Sequence, residues 1–340
     1  MKRGCALTKQ EVVKAILASR PVVSSGAGRA FAPANIALCK YWGKRDEELN
    51  LPMTSSLSVS LDGLGTTTEI CLRGDVDRLY LHDRELAPDS EFARRTSSYL
   101  DLFRPESSAG FEVRTRGDIP VAAGLASSAS GFAALILALD QLFGWALDGV
   151  SLSILARLGS GSACRSVFDG FVEWHAGTRT DGMDSHAEPL NVHWPEFRIA
   201  LLTLSDREKP VGSRPAMRQT KRTSTLYTAW PVQAAADLRD IRAAISDQDF
   251  ERLGRVSESN ALAMHATMLG ARPPVLYWLP ETVETLQRIW ALRGAGAAIY
   301  ATMDAGPNVK LLFEAKHEAA VRDEFPEARV VTPFERAEEA

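Results

Sequence analysis

The sequence of 340 residues is poor in paired cysteines, in long apolar runs and in charge of one sign. Its four cysteines (Cys5, Cys39, Cys71 and Cys164) are widely spaced and form no CxxC pair, which fits a reduced compartment rather than a disulfide framework. No apolar run approaches the ~18 residues that span a bilayer. Met1-Lys2-Arg3-Gly4-Cys5 has basic residues without the apolar core of a signal peptide. With 39 Lys and Arg against 43 Asp and Glu, the net charge of −4 lacks the basic balance of a nucleic-acid binder. It leaves room for a local cationic pocket that takes a small anion. The six histidines (His82, His175, His186, His193, His265, His317) show no HExxH or comparable spacing, so they read as structural or surface residues rather than a zinc site. The expectation is a cytoplasmic protein acting on small molecules, with no nucleic acid, no membrane and no metal held by a set of protein ligands.

Hydrophobic residues make up 45% and charged residues 24%, as in average soluble proteins, and the length suits two domains with a cleft between them. Thr8 and Glu11 have capping-box spacing ahead of Val12, Val13, Ile16 and Leu17, which predicts a helix over 8–19. The Gly- and Ser-containing stretch 24–28 reads as a linker, making that helix an appended element. Period-two alternation at 57–61 and β-forming residues at 66–72, 78–82 and 111–115 predict strands. Helical spacing covers 89–103 with Asp89 as N-cap, 151–158, and above all 128–143, whose residues are apolar on nearly every side and imply burial. Beyond about 195 the pattern changes to long helices near 224–245 and 247–269, then a hairpin of 297–303 and 309–313. The fold class is α+β, divided into an N-terminal extension (1–28), a first domain (29–195) and a C-terminal domain (196–340).

Four stretches carry candidate chemistry. Gly124-Leu125-Ala126-Ser127-Ser128 opens the buried helix, where glycine, the helix N-terminus and two hydroxyls suit a phosphate and its divalent cation. It is neither a Walker A loop nor a GxGxxG turn, and an ordinary capped helix start accounts for it equally well. Gly159-Ser160-Gly161-Ser162-Ala163-Cys164-Arg165-Ser166 sets a planar cation, matched to carboxylate or phosphate, among small residues. A tight helix–helix connection explains the same residues. Asp304 precedes Ala305-Gly306-Pro307-Asn308 at the end of an apolar strand, placed to orient or deprotonate a hydroxyl, or to stabilise its own turn. Lys40, Lys44 and Arg45 interleave with Tyr41 and Trp42, as either a polyphosphate grip or a solvated loop.

The four occur together, in order, with Ala34-Asn35-Ile36-Ala37-Leu38-Cys39-Lys40-Tyr41-Trp42-Gly43-Lys44 and Leu49-Asn50-Leu51-Pro52. That segment resembles the N-terminal signature of the diphosphomevalonate decarboxylases, members of the GHMP kinase superfamily. Residues 120–128 resemble the superfamily phosphate loop, and 159–166 and 303–308 resemble two further decarboxylase motifs. Asp181-Gly182-Met183-Asp184-Ser185 and Met264-His265-Ala266-Thr267 add to the likeness, which runs from about 29 to 325. It implies a two-domain GHMP-kinase fold with the active-site cleft between domains, a homodimer, and ATP and Mg²⁺ as cofactors. The implied reaction is ATP-dependent decarboxylation of (R)-mevalonate 5-diphosphate to isopentenyl diphosphate, ADP, phosphate and CO₂, in the mevalonate route to isoprenoids.

The resemblance also implies roles. Asp304 would be the catalytic acid-base residue facing the tertiary hydroxyl, and Arg165 would hold the substrate carboxylate. Tyr41, Lys44, Ser213 and Arg214 would contact the diphosphate. Gly124, Leu125, Ala126, Ser127 and Ser128 would hold ATP phosphates, with Ser128 near the transferred group, and Ser160, Gly161 and Ser162 would line the same cleft. The chain departs from the family pattern at Cys39, Thr54 and Pro215-Ala216, and residues 1–28 have no counterpart. Two relatives in chemistry compete, a mevalonate monophosphate decarboxylase and a kinase that does not decarboxylate. Ser213-Arg214 with Lys44 favours the diphosphate, and Asp304 with Arg165 favours decarboxylation. A non-catalytic nucleotide-binding protein would be expected to lack one of these groups.

Overall fold

The computed structural model describes residues 7–18, 20, 26–105, 109–118, 127–207 and 209–334. Its first half runs α1 (Lys9–Leu17), β1 (Ala27–Cys39), β2 (Lys44–Asp46), β3 (Leu51–Pro52), β4 (Ser56–Leu72), β5 (Arg78–Leu81), β6 (Arg84–Glu85) and α2 (Glu91–Leu100). It continues through β7 (Phe111–Gly117), α3 (Ser127–Phe143), α4 (Gly149–Gly159), β8 (Phe171–Trp174) and β9 (Ala187–Leu190). The second half holds β10 (Phe197–Leu202), α5 (Ser213–Thr223), α6 (Trp230–Asp247), α7 (Phe250–Leu269) and α8 (Pro280–Gly294). It ends with β11 (Tyr300–Met303), β12 (Val309–Glu314), α9 (Glu318–Glu324) and β13 (Arg329–Val331). The class is α+β, as expected.

The segments 57–61 and 66–72 join into one long strand, β4, because β1 pairs antiparallel along its whole length, from Ala27↔Cys71 to Cys39↔Leu57. On its other edge β4 takes β7 beside its second half and β8 beside its first, so one strand organises the larger sheet. The smaller sheet has the order β11-β12-β10-β13 and is antiparallel throughout. Consecutive residues of β1 and β4 are buried near this junction, which requires both faces to be covered. Contacts with α3 and with α6 and α7 supply the cover. Leu57, Val59 and Leu61 of β4 share one apolar core with Ile199 of β10, Leu311 of β12 and Ile241 of α6. A second core gathers the first four helices over β7, with Phe111, Ile136, Leu139 and Leu155 at its centre.

Local chemistry explains several boundaries. The capping box of α1 forms as expected, with Glu11 N–H donating to Thr8 Oγ1 and the Glu11 carboxylate accepting from Thr8 N–H. α1 is nonetheless part of the fold, since Val12 and Val13 are buried in the second core. The N-cap of α2 is Ser90, whose hydroxyl accepts from Ala93 N–H, rather than Asp89. The linker expected at 24–28 is corrected at its end: Ala27 and Gly28 already belong to β1. Gly28 is pressed against α3, where a Cβ would stand 1.9 Å from the Ala138 carbonyl oxygen. Residues 21–25 lie outside the described residues, as do Gly124, Leu125 and Ala126.

Candidate active site

Asp304 follows β11 and faces a cavity of about 440 Å³ lined by residues from both halves of the chain. Its carboxylate lies 3.0 Å from Lys40 Nζ and 3.4 Å from Lys310 Nζ, both lysine side chains being 2% exposed against 26% for Asp304. Burial alone would raise the Asp304 carboxyl, but Lys40, Lys310 and Lys209 outweigh it and hold the group well below the usual carboxylate range. Lys40 also donates to Ala37 O at 2.7 Å, while its backbone N–H donates to Asn260 Oδ1 at 2.8 Å. His265 of α7 donates from Nε2 to the Asp304 carbonyl at 3.0 Å, fixing the hairpin tip from behind. Asp304 is therefore held by three elements at once and does not merely close its own turn.

Arg165 sits on a short 3₁₀ turn, Gly161–Val167, and is 2% exposed. Its guanidinium donates to Ser58 Oγ (3.0 Å), Ser56 Oγ (2.6 Å) and Asn35 Oδ1 (3.3 Å), all neutral oxygens. Among the described residues no carboxylate forms an ion pair with it, so a buried planar cation lines the cavity and awaits an anion. Gly161 lets the turn pack against two aromatic side chains: a Cβ there would stand 2.9 Å from Tyr41 Oη and 3.1 Å from Trp174. Lys40, Lys310 and Arg165 surround the single carboxylate of Asp304, a positive excess that suits an anionic ligand.

Lys44, Tyr41, Ser213 and Arg214 line the same cavity. Lys44 is buried and donates to Asn50 Oδ1 at 2.6 Å, with Glu47 at 3.4 Å. The buried Tyr41 hydroxyl has no hydrogen-bond partner among the described residues, leaving a donor free at the wall. Ser213 opens α5 and Arg214 donates to Gly159 O at 2.9 Å, which ties α5 to the end of α4. Pro215 lies in the first turn of α5, where a missing N–H does no harm. Ser128 of α3, on the same cavity, faces Ser160, their hydroxyl oxygens 3.4 Å apart. Beyond Ser128 lies a narrow apolar pocket with Tyr80, Phe92 and Phe132 in its wall.

The structure thus brings together Asp304, Arg165, Tyr41, Lys44, Ser128, Ser160, Gly161, Ser162, Ser213 and Arg214. Gly124, Leu125 and Ala126 lie outside the described residues, and of Ser127 only its place at the start of α3 is described. Sequence reasoning missed Lys310, Lys209 and Arg95, named His265 only within a family likeness and as a structural or surface residue, and treated Lys40 only as one charge of a cluster. Lys310 stands in a strand of apolar residues at a fully buried position, the one signal that could have marked it. Asp181 and Asp184 serve local architecture instead: Asp184 accepts from Thr178 and Arg179 N–H, and Asp181 from Met183 N–H.

Residues 32–187 match the family model of the diphosphomevalonate decarboxylase-like N-terminal domain, and residues 199–334 that of the mevalonate 5-diphosphate decarboxylase C-terminal domain. The diphosphomevalonate decarboxylase of Rattus norvegicus is 38% identical over 325 residues, covering 87% of this chain and 80% of the relative. Among solved structures, mevalonate diphosphate decarboxylase from Staphylococcus aureus superposes with a TM-score of 0.85 at 37% identity, covering 90% of this chain and 95% of its own. MDDEF in complex with MVAPP, AMPPCP and magnesium also superposes with a TM-score of 0.85, at 38% identity, covering 91% and 98%.

Proposed function

The chain belongs to the diphosphomevalonate decarboxylase family, and from that premise we propose how its own residues perform the reaction. It is an ATP-dependent carboxy-lyase of the mevalonate pathway, with the GHMP-kinase fold, that converts (R)-mevalonate 5-diphosphate to isopentenyl diphosphate, ADP, phosphate and CO₂. A tertiary alcohol leaves poorly, so its oxygen first takes the terminal phosphoryl group of ATP, with ADP leaving and the hydroxyl proton passing by way of Asp304 to phosphate or solvent. Departure of phosphate then leaves an electron-poor carbon, and the C–C bond to the carboxylate supplies the electron pair of the new double bond as CO₂ is lost.

Arg165 orients the substrate carboxylate with its planar fork, while Lys44, Tyr41, Ser213 and Arg214 hold the diphosphate. Asp304 accepts the hydrogen bond of the tertiary hydroxyl and points its oxygen at the nucleotide. Held ionised by Lys40 and Lys310, Asp304 is a weaker base than a free aspartate, which puts alignment and stabilisation of the electron-poor carbon ahead of proton abstraction. Ser128 and Ser160 present hard hydroxyl oxygens that fit ATP phosphates and Mg²⁺, an ion that takes most of its ligands from phosphate and water. When bound, Mg²⁺ neutralises charge on the nucleotide. Gly124, Leu125, Ala126 and Ser127 complete the phosphate grip in this reading.

The observation that carries the reading is the facing pair itself, an ionised carboxylate and an unpaired guanidinium on one cavity. The division into 29–195 and 196–340, the homodimer and the cytoplasmic location belong to the same proposal. Supporting them are the two sheets and the family resemblance; among the described residues no helix is long and apolar enough to cross a membrane. To test the function, ADP and CO₂ are followed separately with ATP, Mg²⁺ and (R)-mevalonate 5-diphosphate. We expect one CO₂ per ADP, whereas ADP without CO₂ would identify a kinase.

A further inference from the structure

Asp237 of α6 is a carboxylate only 5% exposed that forms no ion pair among the described residues. Its partners are neutral amides: Gln233 Nε2 donates to Oδ1 at 2.6 Å, and Asn260 Nδ2, from α7, donates to Oδ2 at 2.7 Å. Asn260 is fully buried, and its Oδ1 accepts from Lys40 N–H at 2.8 Å. The ladder between β1 and β4 ends at Cys39↔Leu57, so Lys40 lies just past the strand and its N–H takes Asn260 in place of a ladder partner.

The polarity of these bonds is fixed by chemistry. A carboxylate only accepts and a backbone N–H only donates, so the Asn260 amide has one orientation that satisfies both neighbours. Lys40 in turn reaches back to Ala37 O at 2.7 Å and across to Asp304 Oδ1 at 3.0 Å. His265, about 7.5 Å further along the axis of α7 by the helical rise, holds the Asp304 carbonyl. Glu258 of the same helix accepts from Ala301 N–H of β11 at 2.8 Å. One helix therefore fixes the main chain at both members of the Lys40–Asp304 pair, and along the strand that leads to Asp304.

We propose, on the decarboxylase reading, that Asn260 is a positioning residue for the reaction: oriented by Asp237, it sets the Lys40 main chain so that the ammonium meets the Asp304 carboxylate and aims it. The test compares the wild type with Asn260→Ala, Asn260→Asp and the swapped pair Asp237→Asn/Asn260→Asp. Steady-state kcat and KM for (R)-mevalonate 5-diphosphate and nucleotide affinity are measured per folded molecule, the folded fraction being read by near-ultraviolet circular dichroism. Asn260→Asp alone sets two carboxylates face to face. In the swapped pair the new amide at 237 donates to the new carboxylate at 260 and still accepts from Gln233, which leaves an oxygen at 260 for Lys40 N–H.

In Asn260→Ala we expect kcat to fall roughly ten- to hundredfold, as a misplaced catalytic group produces, with KM and nucleotide affinity within about threefold. Asn260→Asp falls at least as far, and the swapped pair returns kcat to within about threefold of the wild type. Where a single variant does not fold, the swapped pair decides, and restored kcat sustains the proposal. Wild-type kcat in Asn260→Ala overturns it, as does a swapped pair that stays inactive. A smaller folded fraction with kcat per folded molecule unchanged also overturns it, by assigning Asn260 a purely structural role. Wild-type turnover that yields ADP without CO₂ fails the decarboxylase reading instead, and the same comparison followed by ADP release still judges Asn260.

Discussion

At 3.0 Å and 3.4 Å from two buried ammonium groups, the Asp304 carboxylate stays ionised through the ordinary pH range, and its direction is set by Lys40, just past the end of β1, and Lys310 of β12. Arg165 is the complementary case, a charge satisfied only by neutral oxygens. Arg165→Lys keeps the charge and loses the fork. We expect kcat/KM for the mevalonate substrate to fall by roughly two orders of magnitude, about 2.7 kcal/mol, with ATP KM little changed; an unchanged kcat/KM would remove Arg165 from the carboxylate.

His265 gives a stability signature. Burial pushes its ring down to about 4, although its bond to the Asp304 carbonyl opposes the shift. An unfolded chain takes up that proton near 6.5 and the folded chain near 4, so the neutral ring's contribution is complete above 6.5. It is lost progressively as pH falls toward 4, by up to about 3 kcal/mol. Urea unfolding of His265→Gln should therefore show a flatter dependence between pH 4.5 and 6.5 than the wild type. Equal slopes would contradict the assignment.

Among elements, β1 shows why parts of the fold were not legible in the sequence. Its residues are mostly small, with alanine, glycine and proline among them, and carry no strand propensity of their own. It becomes a strand because β4 pairs along it, a tertiary effect that no local window contains. α3, by contrast, was plain from its apolar composition, and the 300–314 hairpin from its turn residues. α5 escaped notice because only Ala216, Met217 and Thr220 form its buried stripe amid basic residues. In the site, Asp304 and Arg165 were readable through motif likeness, but the charge balance around them was not. Lys40 and Lys310 are separated by most of the chain and meet at Asp304 only in the folded molecule.

Gly28 distinguishes strand from linker. As a linker residue, Gly28→Ala would be neutral or slightly stabilising by restricting the unfolded chain. As a strand residue under α3, the new methyl meets backbone and forces β1 away, at a cost of about 1–3 kcal/mol. The urea midpoint decides between them, and we expect the loss.

For the whole molecule, the shared core has a consequence. Leu57 and Val59 of the larger sheet pack in one cluster with Ile199 and Leu311 of the smaller, so neither half buries its apolar face alone. Unfolding followed by near-ultraviolet circular dichroism and by tryptophan fluorescence should then give coincident single transitions. Two separated transitions would mean that the halves are energetically independent. The same junction brings a carboxylate from the second half against an arginine and a lysine from the first, which is how one cavity handles both the carboxylate and the hydroxyl of a single substrate.

The most direct measurement of the central claim is single-turnover CO₂ release by Asp304→Asn with saturating ATP, Mg²⁺ and (R)-mevalonate 5-diphosphate, with nucleotide affinity measured on the same sample. The account predicts ATP binding within about threefold of wild type and CO₂ release slower by roughly three orders of magnitude, about 4 kcal/mol. Release at near wild-type rate would contradict it.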